Sequence, residues 1–332
     1  MTIKDLAKET GYSVGTISRV LNGQPNVSER ARQTILAYVE KSGFQLNSNA
    51  KQLRQTHGDG ILAVVTGRQN ELFAKMIEHI QRLLAETQYP LTVDYVDECE
   101  DAVQYALRLS REKKPLGFFF LGGDTQLFEQ SFGGIRVPSV LLTSDASELG
   151  FRNLSSVTTD DTAAAQCAVE YLFAQGHRRI GFITGDLIYS GLSWLRYEGC
   201  RRAFAAHGMT LSETQCATAR YSFADGYTAA QRLVGTQKLT AIFAMSDVMA
   251  LGAMRALWDK GLRVPEDISV IGFDGLELGE YYIPKLTTIR QDDEQLANRG
   301  VALLLQMLEK QTPAQHEKIP FELAVQDSVA HC

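Results

Sequence analysis

From Gly60 onward, short unbroken apolar runs alternate with stretches whose apolar positions recur every three or four residues. The runs are ILAVV (61–65), LTVDYV (91–96), LGFFFLG (116–122), SVLLT (139–143), IGFIT (180–184), TAIFAM (240–245) and SVIGF (269–273). Between them lie FAKMIEHIQRLLAE (73–86), AAAQCAVEYLFAQG (163–176) and DVMALGAMRALWDKG (247–261). A continuous apolar run suits a parallel strand covered on both faces, and the helical spacing supplies the covering layer. The alternation therefore predicts doubly wound α/β sheets. Roughly 270 residues of it exceed one open sheet, so two lobes with a cleft between them are expected. Ligands of such sheets sit beyond the strands' carboxyl ends. That singles out Thr66 to Phe73, Thr143 to Asp145, Asp160 and Asp161, Thr184 to Arg196, Ser246 and Asp247, and Asp274 and Gly275.

The first fifty-odd residues have another texture, three short helical patterns in a row. Thr2 can cap the first, Asp5 suits its positive end, and Leu6 and Ala7 form its apolar stripe. Gly11 supplies the left-handed turn. Ser13 caps the second pattern, with Ile17, Val20 and Leu21 on its inner face and Gly23 at its end. Ser28 caps the third, where Ala31, Ile35 and Val39 fall four apart before Gly43. Three short helices with a tight first turn match the helix-turn-helix unit.

Composition narrows the class. With 45% hydrophobic and 22% charged residues the chain is a core-former, and no run approaches the roughly 18 apolar residues of a membrane span. The polar start from Thr2 to Thr10 is no secretory signal. Five scattered cysteines without a C-x-x-C pair argue against disulfides and a zinc ribbon, and for a reducing cytoplasm. Residues 1–57 carry eight basic and four acidic side chains, a net +4, while the whole chain is −6, which leaves −10 on the remainder. A basic head on an acidic body suggests that the head meets a polyanion.

The outer face of the second helix fits that partner. Val14, Gly15, Thr16 and Ser18 are short, and Arg19 is the one long donor. Small residues permit close approach in a major groove, and an arginine fork matches guanine O6 and N7. A lone exposed arginine is usually a solvated surface residue; the helix-turn-helix pattern around this one reverses that weighting.

TIKDLAKETGYSVGTISRVLNG, followed by VSERARQTILAYVEKSGF, resembles the N-terminal domain of the LacI/GalR family of bacterial transcriptional regulators. The resemblance implies that Val14, Gly15 and Arg19 stand at base-reading positions. Thr2, Ser13, Thr16, Ser18 and Asn22 then stand at backbone-contacting or capping positions. Gly15 departs from the family in offering no side chain, so one base edge goes unread or is met by backbone. NSNAKQLR (47–54) resembles the family's hinge helix, with Asn47 as cap and Ala50 and Leu53 on one face. The resemblance makes Leu53 a wedge between base steps in the minor groove. So short a helix is marginal alone, and the residues themselves suit a polar linker equally. Leu46 replaces the usual proline before Asn47.

The body resembles the same family's effector-binding core, of periplasmic-binding-protein architecture, in GHRRIGFITG (176–185), MSDVMALGAMRAL (245–257), VPEDISVIGFDG (264–275) and KLTTIRQD (285–292). The implied division is a helix-turn-helix domain over 1–45, a hinge over 46–58 and a core over 59–332. Three crossings near 158, 287 and 321 split that core into a first lobe of 59–158 and 288–320, and a second of 159–287 and 321–332. Arg196, three residues before Gly199, matches the family's ligand-holding arginine, and Asp274 its acceptor carboxylate. Asp160, Asp247 and Trp194 are further candidates, Phe223 falls at an aromatic platform, and Leu72 and Phe73 at two aromatic positions, Leu72 being a departure. Spacing alone favours a surface position for Arg196, and Asp247 could be a helix cap and Phe223 or Trp194 packing. His177 reads as a turn residue, since no second His or Cys stands at metal-ligand spacing.

A sequence-specific repressor is thus expected, with double-stranded operator DNA and a small sugar effector as partners, acting as a homodimer because DSVAHC carries no leucine heptads. A corepressor-dependent repressor binding a purine-like metabolite, or a cytoplasmic solute-binding protein, would suit the same core. No phosphate loop, nucleophile elbow or nicotinamide fingerprint is present, so no enzyme activity, cofactor or metal is expected.

Overall fold

The structure, a computed structural model, describes residues 3–21, 27–42, 60–67, 70–97, 100–187 and 191–332. The chain divides into two units, Met1–His57 and Gly58–Cys332.

In the first unit the apolar stripes fold as helices α1 (Ile3–Thr10), α2 (Val14–Leu21) and α3 (Glu29–Ser42). Leu6, Ile17, Val20 and Ile35 are buried together, with Tyr12, Val27, Tyr38 and Val39 packed around them. Gly11 turns the chain at φ 75°, in the left-handed region that favours glycine. Ser13 Oγ accepts from the Thr16 amide at 3.1 Å, capping α2. Ser28 Oγ accepts from the Ala31 amide at 3.4 Å and starts α3. Thr2, Gly23, Gly43 and the whole hinge segment lie outside the described residues.

The second unit holds two six-stranded sheets. One contains β1 (Ile61–Thr66), β2 (Leu91–Val96), β3 (Gly117–Leu121), β4 (Ser139–Leu142), β5 (Leu154–Thr159) and β11 (His316–Ile319). Its order is β11-β5-β4-β3-β1-β2, all parallel. The other contains β6 (Ile180–Thr184), β7 (Cys216–Thr218), β8 (Ala241–Ala244), β9 (Ser269–Asp274), β10 (Thr287–Gln291) and β12 (Phe321–Ala324). Its order is β12-β10-β9-β8-β6-β7, with β12 antiparallel to β10. Helices α4 (Glu71–Leu84), α5 (Ala102–Glu112), α6 (Thr125–Ser131) and α12 (Asp293–Lys310) belong to the first lobe. Helices α7 (Asp161–Ala174), α8 (Gly191–Ala206), α9 (Phe223–Thr236), α10 (Asp247–Asp259) and the short α11 (Leu278–Tyr281) belong to the second.

Strand β3 shows why the apolar runs are continuous. Phe118 and Phe120 bury one face with Phe128 and Phe132, while Phe119 and Leu121 bury the other with residues of α4 and α12. The chain changes lobe between β5 and α7, between β10 and α12, and between β11 and β12. The second of these lies at Asp292, not at 287. TTIRQ, expected to begin the return to the first lobe, is instead an inner strand of the second sheet, paired with Ile271–Asp274 on one side and Phe321–Ala324 on the other. Among the described residues no helix is long and apolar enough to cross a membrane.

Candidate functional site

Between the lobes lies a cavity of about 870 Å³. Its walls are strand ends. Thr66 follows from β1, Gly122 to Asp124 from β3, Thr143 and Ser144 from β4, Asp186 from β6, Asp274 from β9 and Gln291 from β10. Helix starts complete it, with the N-cap Asn70 and Leu72 and Phe73 of α4, and Leu192 and Arg196 from the first two turns of α8. In both sheets the order reverses beside the first strand (β2-β1-β3 and β7-β6-β8), and the crevice opens at that switch point.

Arg196 is the centre. It is 2% exposed, and its Nε donates to Asp161 Oδ1 at 2.8 Å and its Nη1 to the Met245 carbonyl. Its Nη2 stands 3.6 Å from Asp274 Oδ1, and the guanidinium lies 3.7 Å over the Phe273 ring. Gly199 makes this reach possible. A Cβ there would overlap the Thr162 carbonyl oxygen, so glycine lets α8 lie against the start of α7 where Asp161 stands.

Asp274 is held in the cleft by an uncommon backbone, φ 115°. Its Oδ1 accepts from Gln291 Nε2 at 2.9 Å. Burial pushes its carboxyl up to about 6, against the pull of Arg196 and Gln291. Behind it, Asp247 is fully buried and accepts from the Leu276 amide and from Thr288 Oγ1, both at 2.6 Å. Burial, and then the neighbouring Asp274, push the Asp247 carboxyl well up. Asp247 thereby fixes the loop that presents Asp274. Burial likewise raises Asp161, opposed by Arg196. Thr66 Oγ1 and Thr143 Oγ1 are buried at this cavity without a hydrogen-bond partner in the protein. Tyr221, half-buried, hydrogen-bonds Ser193 Oγ through its hydroxyl at 2.8 Å.

In the first unit α2 leaves Ser13, Gly15 and Arg19 exposed on the side away from Ile17 and Val20. Thr16, half-buried, hydrogen-bonds the Ser13 hydroxyl at 2.9 Å. The side chains of Val14 and Ser18 are not among those described, and Thr2, Asn22, Asn47, Ala50 and Leu53 lie outside the described residues.

Residues 2–47 match the model of the lacI family of bacterial regulatory proteins, and residues 169–329 match a periplasmic binding protein-like domain. The HTH-type transcriptional regulator MalR of Clostridium butyricum is 33% identical over 332 residues, 99% of each chain. The chain belongs to the LacI family. Catabolite control protein A of Priestia megaterium is 29% identical over 314 residues, 94% of each chain. A lac repressor dimer bound to operator and the anti-inducer ONPF superposes with a TM-score of 0.81 at 25% identity, covering 99% of each chain. The protein is a DNA-binding transcriptional regulator and not an enzyme.

Against that LacI frame, the cavity gathers Leu72, Phe73, Arg196 and Asp274 of the residues expected to hold effector. Four others stand elsewhere. Asp160 caps α7 through the Ala163 amide and pairs with Lys318 at 3.1 Å; that amide bond, then Lys318, hold its carboxyl below the usual range. Its neighbour Asp161 is the buried partner of Arg196. Asp247 lies behind the cavity wall, and it is Ser246 that caps α10, through the Met249 amide. Phe223 is the first residue of α9 and 47% exposed, because Ser222 caps that helix and leaves Tyr221, two residues earlier, as the aromatic in the cleft. Trp194 lines a separate small chamber. His177 bonds Thr240 Oγ1 and the Ala330 carbonyl, and the described residues contain no cluster of His, Cys, Asp or Glu able to hold a metal. Gln291 and Tyr221 were missed by sequence reasoning; being the last residue of a strand, and the residue before a capping serine, was the available signal.

Proposed function

We propose that two copies of the protein occupy a pseudo-palindromic operator and repress transcription until a neutral saccharide binds in the interlobe cavity. The carrying observation is the cluster of Arg196, Asp274 and Gln291 in one cavity with Thr66 and Thr143, whose buried hydroxyls have no partner in the protein. A polyol brings many hydroxyls, each able to donate to a carboxylate and accept from an arginine or threonine. Six carboxylates and three arginines line the cavity, which favours a neutral ligand over an anionic one. Exposed Tyr281 and Ile283 give the second lobe apolar surface for a second copy. A dimer presents two α2 helices to half-sites one helical turn apart, with Ser13, Gly15, Thr16 and Arg19 at the groove. Such a regulator works in the cytoplasm. Ligand couples to DNA by favouring one lobe orientation over another, the chain running from head to first lobe through residues 43–59.

The test is a duplex selected from random palindromic sequences by the purified protein, followed by a panel of neutral saccharides, uronates and purines. Release from the selected duplex by a neutral saccharide is expected. Release by purines or uronates alone would refute the neutral saccharide as effector.

Asp274 makes binding pH-dependent. Its raised carboxyl is protonated in the free protein below about 6, whereas ligand hydroxyls donate to the ionised form. Saccharide affinity should therefore be constant above about pH 6 and fall below it, by up to about tenfold per unit. Calorimetry should show proton release on binding near pH 6, and Asp274→Asn should flatten the profile. An unchanged slope in that variant would remove Asp274 from the site.

A further inference from the structure

Beside the main cavity, past Leu192, lies a second chamber of about 200 Å³. The two share Gly123, Ser144 and Leu192 as a common threshold. The first turn of α8 stands between them, so that Arg196 faces the inner chamber and Trp194 the outer. Trp194 is 45% exposed, and its other contact is a tilted packing on Tyr197, ring centres 5.7 Å apart. Across from it, on the first lobe, stand Thr125 and Asp145. Asp145 accepts from the Ser147 amide at 2.9 Å, and an ionised carboxylate keeps further acceptor sites beyond one such bond.

This arrangement has the parts of a pyranose subsite: a part-exposed indole for the ring's apolar C–H side, and a hydroxyl and a carboxylate in the same lining. The inner chamber, near the top of the roughly 300–1,000 Å³ range of small-molecule sites, is already large for one ring. We infer that the effector is an oligosaccharide of at least two rings, one held at Arg196 and Asp274 and the next stacked on Trp194 across the Gly123–Ser144–Leu192 threshold. The inference rests on the saccharide effector proposed above and adds its length and its second contact.

The chain has two tryptophans, Trp194 and Trp258, so Trp258→Phe leaves Trp194 as the sole indole reporter. The probes are glucose, galactose and their α- and β-linked di- and trisaccharides, added to the full-length Trp258→Phe protein. A disaccharide should shift Trp194 emission and bind about tenfold tighter than its monosaccharide. Trp194→Ala should lower disaccharide affinity about tenfold more than monosaccharide affinity, and Trp194→Phe should recover most of it. Equal affinities for one and two rings, or no disaccharide loss in Trp194→Ala, would overturn the outer subsite and leave the saccharide effector standing. Binding of no saccharide of any length, by protein that still holds its selected duplex, would overturn the effector class and this inference with it.

Discussion

Arg196→Ala is expected to produce a protein that holds its operator and ignores its effector, and that is also less stable. Asp161 and Arg196 are each 3% exposed at their side chains and 2.8 Å apart. Removing one partner leaves a buried charge uncompensated, at a cost of about 3–5 kcal/mol. The Met245 carbonyl loses a donor as well. Denaturant midpoints should fall accordingly. Adding Asp161→Asn to Arg196→Ala should recover part of the lost stability, because the carboxylate left unpaired is then gone, without recovering effector response. Recovery of both together would mean that Arg196 acts on ligand only through folding. Retention of normal effector release in the single variant would exclude it from the site.

Arg19→Ala is expected to abolish operator preference while leaving effector binding and the second unit's stability unchanged. An arginine fork on guanine contributes about 1–3 kcal/mol of discrimination, so two half-sites place about 2–6 kcal/mol on this residue. The salt dependence of the remaining binding should persist, since counterion release comes from phosphate contacts elsewhere. Arg19→Lys should not restore the preference, because an ammonium lacks the planar fork. Anisotropy titrations on the selected and a scrambled duplex, at one salt concentration, measure the ratio. An unaltered ratio in Arg19→Ala would remove α2 as the reading helix, whatever its resemblance.

Legibility followed a physical rule. Strands made of apolar runs, such as Gly117–Leu121 and Ser269–Asp274, were plain because burial on both faces writes itself into composition. Leu154–Thr159 and Thr287–Gln291 were not recognised as strands, although they are just as buried. Several of their hydroxyls accept from loop amides, while that of Thr159 is buried without a partner in the protein. Ser155 Oγ accepts from the Gln315 amide, Ser156 Oγ from Ala146 and Thr287 Oγ1 from Gln326. A polar residue bonded inside is indistinguishable in sequence from one facing water. The tight turn at Gly11 and the caps at Ser13 and Ser28 were equally plain, because each depends only on neighbours within four residues.

The amino-acid order by itself determined the three-helix head, the paired α/β lobes, the basic-on-acidic division, and the place of Arg196 and Asp274 at a helix start and a strand end. Tertiary structure alone decided which of Asp160 and Asp161 meets Arg196, that Asp247 stands behind the cleft, that Tyr221 rather than Phe223 enters it, and that Trp194 faces a second chamber. The first group are properties of period, charge and local hydrogen bonding, which adjacent residues carry. The second turn on one or two residues of rotation about an element, and only the packing of α8 against α7, or of β9 beside β10, sets that angle.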